Sequence, residues 1–209
     1  MGTAIKTRER ILAISKKLFN EFGYAGTSMA EIARHAGMSK GNLTYHFKKK
    51  DDLVRALYVQ MQHELDAAIN HLVQRIFEET YYLTLVNELL QVTWKYRFLY
   101  LSINSLMNQY PFIREGEKSY SATRNKILNR GKKYLIDEGY LKPESDNHYE
   151  LLIRNLNMIL YAWIVDAELF HEGDVAAKIE DYATLFYGIA LTNVTEKGRT
   201  LYYQIVQNG

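Results

Sequence analysis

The chain has 209 residues, of which 47% are hydrophobic and 24% charged, and no cysteine at all. Such a composition suits a folded globular protein rather than a disordered one, and it excludes disulfides and thiol chemistry. The net charge of +2 hides an asymmetry: residues 1–50 carry ten Lys/Arg against three acids, a net of +7, whereas residues 51–209 carry sixteen against twenty-one, a net of −5.

The first period runs through Ile11, Leu12, Leu18, Phe19 and Phe22, with Ser15 in the intervening slot, one apolar stripe on a helix that Gly23 ends. A short second helix starts at Thr27 or Ser28, with Glu31 in its first turns and Ile32, Ala33 and Ala36 facing inward. Gly37 supplies the turn, and Ser39 caps a third helix that turns Leu43 and Phe47 inward. After Lys48-Lys49-Lys50, Asp51 and Asp52 open a long helix through Leu53, Leu57, Met61, Leu65 and Ile69, continued by Leu72 and Ile76. A helix of that length joins the basic block to the rest of the chain.

Helices are also predicted over 82–104, around Met107 up to a break near Pro111, over 115–138 closed by Gly139, over 146–171 closed by Gly173, and over 175–195. No sustained two-residue alternation or hairpin signal appears, and there are only two prolines. The fold class is therefore all-α: a three-helix N-terminal domain over 1–50 and a larger helical domain over 51–209. The 146–171 and 175–195 helices are apolar nearly all round. They predict either a subunit interface through Leu156, Leu160, Trp163, Ile164, Tyr182, Phe186 and Ile189, or simply the core of the larger domain.

Two short helices meeting at a glycine-containing turn form the helix-turn-helix pattern, in which the second helix enters the major groove. Its outward residues are Ser39, Lys40, Gly41, Asn42, Thr44 and Tyr45. Asn42 can pair with adenine and Lys40 with guanine, while Gly41 lets the backbone approach the duplex. Thr27, Ser28, Tyr45, His46, Lys48 and Lys50 suit phosphate contacts, which position the protein without reading sequence.

Here the chain resembles the tetracycline-repressor (TetR) family of bacterial regulators. The likeness rests on Ile32-Ala33, on Ala36-Gly37-Met38-Ser39-Lys40-Gly41-Asn42-Leu43, on His46-Phe47 and on Lys50-Asp51-Asp52-Leu53, with Ile11-Leu12, Leu18-Phe19, Phe22-Gly23-Tyr24 and Thr27 upstream. It covers about residues 7–55. One position departs: the family usually has an aromatic where this chain has Thr44, with Tyr45 beside it. The resemblance implies an all-helical homodimer, double-stranded DNA as partner, and repression released by a small molecule held in the C-terminal domain.

For that effector the sequence offers Trp94, Tyr100, Asn104, Tyr120, Arg124, Asn155 and Met158, with Tyr81, Tyr82, Tyr96, Tyr110, Tyr161 and Asn157 nearby. Apolar walls with a few polar groups make small-molecule sites, but the same residues serve as ordinary core. Arg124 suits an anionic effector or a neighbouring acid. No nucleophile elbow, Walker loop or dinucleotide-binding turn is present, and the six histidines (His35, His46, His63, His71, His148 and His171) make no metal motif. No enzymatic activity and no cofactor are expected. The absence of a run of about eighteen apolar residues, and of a signal-peptide core, predicts a cytoplasmic protein without a membrane partner. The alternative reading is a helical scaffold whose basic domain meets a protein or membrane surface.

Overall fold

The computed structural model describes the backbone of residues 2–74 and 81–208 and the side chains of 5–70 and 85–203. The side chains of His71, Leu72, Ile76, Tyr81 and Tyr82 lie outside the described residues. The described residues form eleven α-helices: α1 (Gly2–Gly26), α2 (Met29–His35), α3 (Lys40–His46), α4 (Lys50–Gln74), α5 (Tyr81–Lys95), α6 (Arg97–Leu101), α7 (Ile103–Gln109), α8 (Pro111–Asp137), α9 (Asp146–Phe170), α10 (Val175–Leu191) and α11 (Glu196–Asn208). The only pairing of strand type among them is an isolated bridge between Leu141 and Val194. The all-helical expectation holds.

In the N-terminal unit, Ile11, Leu18 and Phe19 of α1 pack with Ile32 and Ala33 of α2 and with Leu43 and Phe47 at α3. Phe22, expected in the same stripe, is 57% exposed. It stands just before Gly23 (φ 74, ψ 160) redirects the chain, and Tyr24 meets Phe19 edge-on instead, with ring centroids 5.7 Å apart. The cap of α2 is Ser28 rather than Thr27. Its Oγ accepts from the Glu31 amide at 3.2 Å, and the Glu31 carboxylate accepts from the Ser28 amide at 2.7 Å. Gly37 takes φ 63 in the turn, and Ser39 Oγ caps α3 by accepting from the Asn42 amide at 3.1 Å.

The long α4 buries Leu53, Val54, Leu57, Met61 and Leu65 and packs against α1, α5 and α8. Gly116 marks its contact with α8, since a Cβ there would collide with the Tyr58 ring. The single helix expected over 82–104 is instead broken at Tyr96 and Ser102. Asn20 of α1 stitches the first break: its Nδ2 donates to Lys95 O at 3.0 Å, and its Oδ1 accepts from the Phe98 amide at 3.1 Å. One side chain thus satisfies an orphan carbonyl ending α5 and an orphan amide starting α6. The expected break near Pro111 is present, since α7 ends at Gln109, but Pro111 itself begins α8, four residues before the expected start, at a position where its missing N–H removes no helical bond.

Helix α9 buries Tyr149, Leu160, Trp163, Ile164 and Ala167. Trp163 Nε1 donates to Thr93 Oγ1 at 3.1 Å, and that hydroxyl donates to Leu89 O at 2.9 Å, so the buried indole is satisfied. The last predicted helix stops at Leu191 rather than 195, and α11 follows unforeseen. The turn between them is held by the α8–α9 loop: Lys142 N donates to Asn193 O at 2.9 Å and Thr195 N to Tyr140 O at 3.0 Å.

Candidate nucleic-acid interface

Helix α3 turns Leu43 inward and leaves Lys40, Gly41, Asn42 and Tyr45 exposed, with Thr44 and His46 half-buried. Tyr45 is 84% exposed and lies edge-on to His46, with ring centroids 5.3 Å apart. Thr44 Oγ1 donates back to Gly41 O at 2.9 Å. A Cβ at Gly41 would meet only Ser39 Oγ, at 3.9 Å, so packing within the chain does not call for glycine there. Ser28, Ser39 and Lys48 are exposed on the same unit. The Glu31 carboxyl is held below the usual carboxylate range, first by the Ser28 backbone N–H and then by the Ser28 hydroxyl.

Two expected phosphate contacts lie elsewhere. Thr27 is buried, and its hydroxyl faces Gly23 O at 3.0 Å and Leu18 O at 3.3 Å. The Lys50 ammonium donates to Tyr24 O at 2.7 Å and Thr27 O at 2.9 Å, and it sits 4.0 Å from the centre of the Tyr24 ring. Burial lowers the pKa of this lysine. A cation at a helix N-terminus opposes the dipole. Lys50 avoids that conflict by turning back to the carbonyls where α1 ends.

The same joint holds three groups that sequence reasoning missed as a set. Tyr24 donates to Tyr110 Oη at 2.5 Å, and Tyr110 donates to Asp51 Oδ1 at 2.7 Å. Burial and these two partners push the Tyr110 hydroxyl well above the usual phenol value. The ends of α1 and α7 and the start of α4 are therefore tied at one point, immediately before α8.

The candidate effector residues divide. Tyr100, Tyr120 and Arg124 are buried, and Trp94 is half-buried against Trp163, with ring centroids 5.6 Å apart. Asn104, Asn155 and Met158 are exposed on outer helix faces and line no interior site. Two of the cavities in the larger domain have apolar walls. One, of about 280 Å³, has almost wholly apolar walls between α8, α9, α10 and α11. The other, of about 90 Å³, includes Arg124 in its wall. Arg124 is 5% exposed, and its Nε and Nη2, like Tyr120 Oη, meet no hydrogen-bond partner among the described residues.

Most of the expected interface residues are core residues of the protomer itself. Leu160, Trp163, Ile164, Tyr182 and Phe186 are buried, while Leu156 and Ile189 are half-buried. The helices are not covered all round: Leu151, Met158, Val165, Leu169 and Leu185 are exposed. No helix among the described residues is long and apolar enough to cross a membrane, and none of their His, Asp and Glu side chains cluster in a group fit for a metal.

Comparison with known proteins gives two family matches. The model for bacterial regulatory proteins of the tetR family matches residues 11–57, and the TetR model described as a bacterial transcriptional repressor matches residues 60–202. The chain is 40% identical over 55 residues to the HTH-type transcriptional regulator AcrR of Shigella flexneri, covering 26% of each chain. It is 42% identical over 71 residues to an HTH-type transcriptional regulator of Staphylococcus aureus strain USA300, covering 34% of this chain and 37% of that one. It thus spans well under half the length of the curated relatives it matches. Among solved structures, a TetR-family regulator from Marinobacter aquaeolei VT8 superposes with a TM-score of 0.82 at 20% identity, over 96% of this chain and 97% of that one. The ketosteroid transcriptional regulator KstR2 of Mycobacterium tuberculosis superposes with a TM-score of 0.68 at 20% identity, over 90% and 95% of the two chains. These two likenesses speak for the fold.

Proposed function

The chain belongs to the TetR family of DNA-binding transcriptional regulators, and from that premise we propose that it is a homodimeric repressor that leaves its operator when a small molecule binds. Residues 1–50 are the reading unit and 51–209 the effector-binding and dimerisation unit. The observation that carries the reading is the exposed face of α3. Asn42 pairs with adenine, Lys40 donates to guanine, and the bare backbone at Gly41 admits a close approach. Ser28, Ser39, Thr44, Tyr45, His46 and Lys48 hold phosphates around it.

A single unit reads one half-site, so operator recognition calls for a second copy with its α3 about 34–36 Å away. Support for the dimer comes from an exposed stripe on α9 at Leu151, Asn155, Met158, Ala162, Val165 and Leu169, spaced alternately by four and three residues. Leu185 and Gly188 on α10 are exposed as well, and a Cβ at Gly188 meets nothing within 4 Å in its own chain. Effector binding changes the separation of the two reading helices through α8, which runs from the Tyr24–Tyr110–Asp51 joint to the cavities.

Selection of bound genomic fragments identifies the operator, and Asn42→Ala then tests the reading. One bidentate base contact is worth about 1–3 kcal/mol, so operator affinity should fall roughly ten- to hundredfold while affinity for random DNA stays. Equal losses on both would refute a base-reading role for Asn42.

A further inference from the structure

The cavity of about 280 Å³ between α8, α9, α10 and α11 has walls almost wholly of aliphatic and aromatic carbon. Leu128 and Leu135 of α8, Leu152 and Ile153 of α9, and Phe186 and Leu191 of α10 supply much of that surface. The polar groups at its edge are engaged elsewhere. Lys132 borders it, but its ammonium is 3.0 Å from Asp146 Oδ1 and 5.4 Å from the centre of the Tyr149 ring. Tyr149 Oη donates to Lys142 O at 2.6 Å. No acidic residue borders the cavity among the described residues. The smaller cavity shares Leu85, Val86, Leu128, Leu156 and Phe186 with it and has no polar wall, so Arg124 shows that space only carbon.

A charged ligand entering here would lose its water and gain no counter-ion, and a hydrogen-bonding group would meet almost no polar surface. An apolar ligand loses nothing of the kind and leaves water. Folded interiors hold few voids larger than a water molecule, because the lining of a void forfeits its dispersion contacts. A space of this size therefore calls for an occupant. A dry apolar cavity of about 150 Å³ accepts one benzene, so about 280 Å³ suits roughly two rings.

The cavity also sits where an occupant bears on α8. Leu201 and Tyr202 of α11 line one side of it. Gly198 seats that helix on the α8–α9 loop, since a Cβ there would collide with Tyr140 O and Val194. Thr195 Oγ1 donates to Gly139 O at 2.7 Å and Lys197 Nζ to Glu138 O at 2.8 Å. The cavity is thus bounded by α8 and by a helix fastened to the end of α8.

We infer that the effector is an uncharged hydrophobe of about the bulk of a two-ring hydrocarbon, held in the α8–α11 cavity. This names a ligand class for the effector-released reading above and rests on that reading only for its regulatory meaning, not for the site.

Equilibrium dialysis of the full-length protein against 1-methylnaphthalene, 1-naphthoate and 1-naphthylmethylammonium tests it, because the three share a ring system and differ in charge. The hydrocarbon should bind at least tenfold more tightly than either ion. Ala190→Trp from α10 and Ile153→Trp from α9 each put an indole into the cavity and should weaken hydrocarbon binding at least tenfold. The assignment is overturned if 1-methylnaphthalene does not bind, if either ion binds within tenfold of it, or if a folded filling variant binds it as the wild type does. Should neither variant fold by circular dichroism, the three probes on the wild type decide the matter alone. Bound 1-methylnaphthalene that leaves operator affinity unchanged would retain the site and refute its regulatory meaning.

Discussion

At the scale of single residues, charge at a helix end decides much of what the N-terminal unit does. Glu31 closes the capping box with Ser28, and the Ser28 N–H and hydroxyl hold its carboxyl below the usual range. A group whose pKa is lowered by folding contributes stability that is present above its usual pKa and lost as pH falls through the lowered value. The stability advantage of the wild type over Glu31→Gln should therefore be largest at neutral pH and vanish in acid below the lowered value. Calorimetric melts of the two proteins across pH 7 to 3 check this, and a difference that does not change with pH would contradict it. This cap was half legible, because Ser and Glu at that spacing announce a box. The burial of Thr27 was not, because its hydroxyl is directed by where α1 ends.

Between elements, the informative places are junctions at which one side chain serves two helices. Asn20 splits the helix expected over 82–104 by satisfying backbone groups 75 and 78 residues away in sequence. No local period carries that information, since α5 and α6 are both good helical sequence. The Tyr24–Tyr110–Asp51 chain ties α1, α7 and α4 at the head of α8. Tyr110→Phe keeps the ring against Phe112, whose centroid is 5.7 Å away, and deletes the hydroxyl. It should cost about 1 kcal/mol of stability. If α8 transmits the effector signal, the effector that releases the wild type from its operator should still bind this variant but should change its DNA affinity less than in the wild type. Fluorescence titration paired with operator binding measures both, and an undiminished response would exclude the joint from the route.

For the whole molecule, the proposed dimer links the exposed stripe on α9 to operator reading by α3. Met158→Glu combined with Leu169→Glu places two charges in the stripe and touches no buried residue. Sedimentation should then report a folded monomer. Its operator affinity should collapse, while weak binding to random DNA persists with about half the salt slope, since each copy contributes its own phosphate contacts. A dimer surviving both substitutions would move the interface off α9.

The sequence by itself determined the all-α class, the helix-turn-helix from Thr27 to Phe47 and the basic character of its unit, because short-range rules govern all three: helical period, capping chemistry, turn glycines and charge count. It also marked α9 and α10 as unusually apolar, but not which of their faces is open. Only the tertiary structure separated Trp163, Ile164 and Phe186, buried in the protomer, from Met158, Val165 and Leu169 on its surface. The same holds for Arg124 and Asn155, two polar residues among apolar neighbours, of which one is enclosed and the other exposed. An apolar helix buries whichever side its partners reach, and those partners come from segments remote in the chain, so the choice of face is made by packing and not by local pattern.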